Sequence, residues 1–111
     1  YGTADAARYR RVGNVVELRG VITPLSDIAY TSSDISTEYR MFLLPPGYRP
    51  TSSVYAICQG SGTATWMLHV ATSGWVTFGR YRLGAAWATA KAPVDNTNGA
   101  WLPFQCTSLV D

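Results

Sequence analysis

The stretch Val15-Val16-Glu17-Leu18-Arg19-Gly20-Val21-Ile22-Thr23 carries the plainest structural signal in the chain. Val16, Leu18, Gly20 and Ile22 fall on one side of an extended backbone, and Val15, Glu17, Arg19 and Val21 fall on the other. Successive side chains of a strand point to opposite faces, so this is a strand whose first set faces the core. Before it, Gly13-Asn14 is a two-residue turn signal that follows a short run, Arg8 to Val12. The pair therefore opens an antiparallel meander.

Further strands follow outward from this hairpin. Residues 24–37 form a surface loop anchored by Leu25, Ile28, Tyr30 and Ile35. Residues 39–44 make a strand that stops at Pro45-Pro46-Gly47-Tyr48-Arg49-Pro50, because proline cannot donate to a ladder. Strands over 54–59 and 63–71 are joined by Gly60-Ser61-Gly62, and Thr72-Ser73-Gly74 turns into a short strand over 75–78. Residues 83–100 read as one long connection, a length that is often functional in a small domain, and 101–110 close the chain as a last strand. No segment shows helical periodicity, so the fold class is all-β: an antiparallel sandwich or barrel.

With 111 residues the chain is one domain spanning 1–111. At 47% hydrophobic and 14% charged it is too apolar for disorder, and its apolar runs are too interrupted for membrane insertion as a helix. Beginning at Tyr1, it reads as a fragment of something longer. The formal charge is +2, and no run of like charge exceeds Arg10-Arg11, so no basic stripe marks a nucleic-acid partner. Val15-Val16, Met41 to Leu44 and Trp66-Met67-Leu68 put apolar groups on both faces of their strands. Either homo-oligomerisation or a covering loop accounts for them.

Catalytic chemistry finds little to use. His69 is the sole histidine and sits mid-strand between Leu68 and Val70, so it reads as a packing or interface residue. The seven acids are scattered, with no paired-carboxylate motif. Cys58 and Cys106 cannot supply the four ligands of a zinc site; they are either two small buried hydrophobes or a disulfide. Asp95, Asn96 and Asn98 are too few for a calcium loop. No enzyme, cofactor or metal is expected.

Recognition remains. Four Trp, seven Tyr and eight Arg supply stacking faces and planar donors suited to carbohydrate or anionic glycopolymers. Trp66 alternates with Leu68 and belongs to the core, Trp101 to core or interface, and Trp75 to either core or ligand. Trp87 stands in the polar connection and is the leading ligand candidate, against the alternative that it packs down to hold the loop. Tyr81 and Arg82 precede that connection and Asp95, Asn96 and Asn98 lie within it, completing the candidate ligand site; Arg80 is a possible neighbour.

The order of these pieces resembles the C-terminal receptor-binding head domain of bacteriophage tail fibres, baseplate proteins and tail-like bacteriocins. The resemblance runs through Tyr9 to Ile22, Phe42-Leu43-Leu44-Pro45-Pro46-Gly47-Tyr48-Arg49-Pro50, Met67 to Val70, Gly74-Trp75-Val76 and Trp101-Leu102-Pro103-Phe104, with Leu-Pro-x-Gly-Tyr-Arg-Pro its most specific part. It implies a compact jelly-roll-like or TNF-like β-sandwich or barrel, assembled as a homotrimer at the tip of a longer fibre. It also implies attachment of a virion or extracellular tail-like particle to a bacterial cell-surface glycan or teichoic acid. The alternative is a trimerisation or capping module without a ligand of its own. The 83–100 connection departs from the short turn expected of such domains and reads as either a host-specific binding loop or a contact arm.

Overall fold

Val16, Leu18 and Ile22 are buried, and the strand that carries them lies in the middle of a three-stranded antiparallel sheet. The computed structural model describes residues 2–31, 36–92 and 99–110, with backbone alone for 2–6. The described strands are β1 (Gly2–Val12), β2 (Val15–Thr23), β3 (Ile28–Ala29), β4 (Glu38–Leu43), β5 (Val54–Gln59), β6 (Ala64–Val70), β7 (Trp75–Leu83), β8 (Ala86–Trp87), β9 (Thr89–Ala90) and β10 (Leu102–Leu109).

One sheet has the order β1-β2-β10; the second has the order β4-β7-β6-β5, with β8 added to β7; β3 and β9 form a small third. Every pairing is antiparallel. The all-β reading therefore holds, and among the described residues no pairing closes the sheets into a barrel.

The core is one cluster to which both large sheets contribute. Trp66 of β6 packs on Phe78 of β7 at 5.4 Å between ring centroids and edge-on to Phe104 of β10 at 6.5 Å. Phe42 of β4 reaches Phe104 at 5.9 Å. In β6 the alternation is complete: Ala64, Trp66, Leu68 and Val70 are buried, and the residues between them are not.

Register shifts interrupt the ladders elsewhere: two in β1, between Thr3 and Asp5 and between Asp5 and Arg8, and one each in β4 and β7. Between Arg40↔Thr77 and Phe42↔Val76, β4 carries one extra residue, Met41. This restores Phe42 to the core side and leaves Leu43 outside, so the run Met41 to Leu44 is not a strand with two buried faces. In β7 the extra residue lies between Thr65↔Arg82 and Met67↔Gly79, where Arg80 has φ 54°. A left-handed residue inside a ladder resets the pleat. Tyr81 thereby points inward beside Phe78, although its odd number places it on the outer face by simple counting.

Three boundaries differ from the sequence expectation. β1 extends back to Gly2, and β7 continues past Phe78 to Leu83. Gly79 sits in this extension against the Thr37 carbonyl and the Tyr30 hydroxyl, where a Cβ would make ordinary contact at 3.5 Å with each. Residues 83–100, expected as one long connection, instead carry β8 and β9. The β9–β3 pair, together with bonds from Tyr30 N–H to the Ala88 carbonyl and from Ala88 N–H to the Tyr81 carbonyl, draws this segment onto the loop after β2. Ile28 and Tyr30 anchor that loop as expected, whereas Leu25 is exposed and Ile35 lies outside the described residues.

The proline-rich turn is a junction. Tyr48 N–H donates to the Pro45 carbonyl, and Gly47 has φ 91°, the left-handed third position of a type II turn. The Arg11 guanidinium donates to the Gly13 and Gly47 carbonyls at 2.6 Å each, tying the β1–β2 turn to this one. Tyr48 meets Tyr9 edge-on at 4.9 Å. Leu44 N–H donates to the Gly74 carbonyl, and Arg49 Nε to the Leu44 carbonyl.

Gly74 has φ 97°, and a Cβ on it would lie 2.8 Å from the Leu44 carbonyl and 2.6 Å from Arg49 Nε. Gly84 has φ 60° but nothing within 4 Å. Gly74→Ala is accordingly expected to cost roughly 2–4 kcal/mol and Gly84→Ala about 1 kcal/mol. Urea unfolding midpoints check this; equal shifts for the two would show that crowding at the proline junction has no weight.

Candidate functional site

The residues expected to form a ligand site are not all in one place. Tyr81 is 3% exposed with its ring on Phe78, so it offers no face to a ligand; burial also pushes its phenol above its ordinary pKa. Arg82 and Trp87 do come together, as cross-strand partners of β7 and β8, with the guanidinium 5.1 Å from the ring centroid. Trp87 is half-buried and stacks on Tyr30 at 6.3 Å, so it holds its segment to the core. Asp95, Asn96 and Asn98 lie outside the described residues. Trp75 is half-buried beneath Arg40, 4.4 Å from the ring centroid, while Trp101, read as core or interface, is 61% exposed.

His69 occupies a structural constellation. Its Nδ1 lies 2.6 Å from Glu38 Oε1, its ring stacks on Tyr55 at 4.2 Å, and Thr77 Oγ1 donates to the same Glu38 oxygen at 2.6 Å. The hydroxyl gives its proton to the carboxylate rather than to the imidazole, so the order of a nucleophile–base–orienter relay is absent. His69 Nε2 is buried without a hydrogen-bond partner. Cys58 and Cys106 are free thiols; burial pushes both up to about 11, with the neighbouring Cys106 adding to the shift at Cys58. Thiols so poorly ionised are weak nucleophiles at neutral pH.

A groove of about 630 Å³ lies on the outer face of β1-β2-β10. Arg8, Arg10, Glu17, Arg19, Val21 and Gln105 line it, together with Tyr9, Gly20 and Phe104, which alternate with them along the strands. Tyr9 meets Tyr48 edge-on and remains half-exposed, while Phe104 is buried in the core. The registers arrange the face in transverse rows. Arg8, Arg19 and Gln105 are direct neighbours across the three strands, and Arg10, Glu17 and Thr107 form the next row. Val12, Val15 and Leu109 follow on one side, all exposed; on the other, Val21 stands beside Pro103 and opposite Asp5, whose side chain is outside the described part.

Arg10 Nη2 is 3.6 Å from Glu17 Oε2, a solvent-exposed ion pair. Arg8 and Arg19 stand directly opposite each other instead, a like-charge placement that costs stability in a sheet. A second, smaller groove of about 450 Å³ beside Val15, Thr51 and Leu109 has no charged side chain in its lining. Among the described residues no group of three or more His, Cys, Asp or Glu is placed to hold a metal ion, and no helix is long and apolar enough to cross a membrane.

Part of the cationic groove was within reach of the sequence. Counting back from the Gly13-Asn14 turn pairs Val12 with Val15, Arg10 with Glu17 and Arg8 with Arg19, as the structure does. Gln105 needed the long-range β10–β2 register, for which no local signal exists. No protein-family model matches this chain, and no curated protein matches it.

The Glu38 cluster has an acid-side consequence. Partial burial raises the carboxyl pKa, but hydrogen bonds from Thr77 and His69 and the charges of His69 and Arg80 outweigh it and leave the group below its ordinary value. A depressed carboxylate contributes stability that is fully present above its unfolded pKa and lost as pH falls through the folded one. Glu38→Gln should therefore cost below about 1 kcal/mol at neutral pH, and that difference should vanish between about pH 5 and pH 2. Urea titrations across this range measure it; a difference that does not change with pH would remove Glu38 from the acid response.

Proposed function

We propose that this chain is a non-enzymatic attachment domain of the phage receptor-binding head type. In this reading it is carried as a homotrimeric β-sandwich at a fibre tip and binds a bacterial cell-surface saccharide. The observation that carries the reading is the open groove on the outer face of β1-β2-β10, with planar donors at Arg8, Arg10, Arg19 and Gln105. Glu17 is the one carboxylate in its described lining, whereas glycosidic hydrolysis uses two flanking the bond. A shallow site of this kind binds weakly on its own and gains strength from several copies on one particle. The proline junction around Gly47 and the antiparallel order of the large sheets agree with the sequence resemblance.

A trimer is supported by apolar side chains left open on the single chain. On β5, Ile57 is 85% and Tyr55 61% exposed, and half-buried Met67 lies next to them on β6. Isolated exposed apolar groups are ordinary, but a contiguous set marks an interaction surface. The same set favours the second reading, a trimerisation or capping module with no ligand of its own.

Light scattering on the purified chain, followed by a panel of bacterial cell-wall polysaccharides on the same sample, separates these. A trimer that retains a subset of the panel is the expected outcome. A trimer that retains none would leave the capping module, and a monomer that retains some would leave a lone saccharide-binding domain.

A further inference from the structure

We infer that the row Arg8–Arg19–Gln105 is an anion subsite, and that the saccharide taken by the groove is therefore an acidic one, bearing carboxylate or phosphate groups; this rests on the attachment reading above. Arg8 and Arg19 face each other across the β1–β2 ladder, and neither has an acidic partner within ion-pair distance among the described residues. Neighbouring strands lie about 5 Å apart, so the two side chains leave the sheet side by side and both can reach one anion. A sheet positions such a pair without the entropy loss of ordering a loop.

The charge balance of the groove points the same way. In the described lining three guanidinium groups stand against one carboxylate, and that carboxylate is engaged by Arg10, which leaves a local excess of positive charge. Gln105 completes the row with an amide that both donates and accepts, the pattern a sugar hydroxyl requires. Val21 and Pro103 follow along the strands as an apolar surface for the carbon face of a ring. A nucleic acid is the less suitable polyanion, because three arginines fall well short of the roughly 6–10 phosphate contacts of a typical site.

The test uses the whole chain and three polymers in direct titration at low and high salt: polygalacturonate for carboxylate, poly(glycerol phosphate) for phosphate, and dextran as the neutral control. At least one acidic polymer should bind and weaken with salt, dextran should not bind, and the acidic polymer that binds identifies the source of the anion. Arg8→Gln and Arg19→Gln should each weaken that binding by about tenfold. Neither should lower the thermal midpoint, because each removes a repulsive neighbour. Glu17→Gln should tighten binding, as it removes the groove's one described negative charge.

Binding of dextran as tightly as the acidic polymers, failure of both acidic polymers to bind, or unchanged affinity in both arginine variants would overturn the anion subsite. Binding of the cell-wall panel would still uphold the attachment reading in each of those cases. Preference for a single-stranded oligonucleotide over every polysaccharide would overturn both.

Discussion

The contact that holds the two large sheets to one another is aromatic: Trp66 and Phe78 from one sheet against Phe104 from the other, with Phe42 closing on Phe104. Trp66, Phe78 and Leu68 are fully buried there, and the rings meet tilted or edge-on, as their quadrupoles favour. The choice of tryptophan has a cost, since Trp66 Nε1 is buried with no hydrogen-bond partner, which forfeits about 1–3 kcal/mol. Its ring area outweighs that loss, because each large aromatic buries roughly 150–250 Å². With this centre in place, β2 can bury Val16, Leu18 and Ile22 and leave Glu17, Arg19 and Val21 on the solvent face, where the groove forms.

Strand existence was largely open to sequence reading, because alternation survives wherever the ladder is regular. β2 and β6 are the clear cases, and the Gly13-Asn14 turn and the proline stop before Gly47 fall where the local chemistry places them. What escaped were features that break the period. The extra residues at Met41 and Arg80 carry no local signature, and each inverts the side on which later residues lie. Tyr81 was a site candidate because it precedes the 83–100 connection; the extra residue at Arg80 turns its side chain into the core. Trp87 was open to both ligand contact and packing, and its partner Tyr30 is too distant in sequence for any local pattern to choose between them.

The candidate site shows the same division. Arg8, Arg10, Glu17 and Arg19 are related by a two-residue hairpin, so their proximity is a matter of counting from the turn. Gln105 and the sheet's open outer face depend on where β10 pairs, and that depends on the shared core rather than on any motif. The groove's donors stand on strands, whereas Asp95, Asn96 and Asn98 of the 83–100 connection lie outside the described residues.

The row order on that sheet gives the groove a direction. Across the strands, neighbours in a row stand about 5 Å apart; along them, one row gives way to the next every second residue, about 6.7 Å. Along the face come the apolar row of Val12, Val15 and Leu109, then the Arg10–Glu17 pair, then the twin arginines, then Val21 and Pro103. The order is different when taken from the other end. On the attachment reading proposed above, a polymer with distinct reducing and non-reducing ends would have one preferred sense of travel across this face.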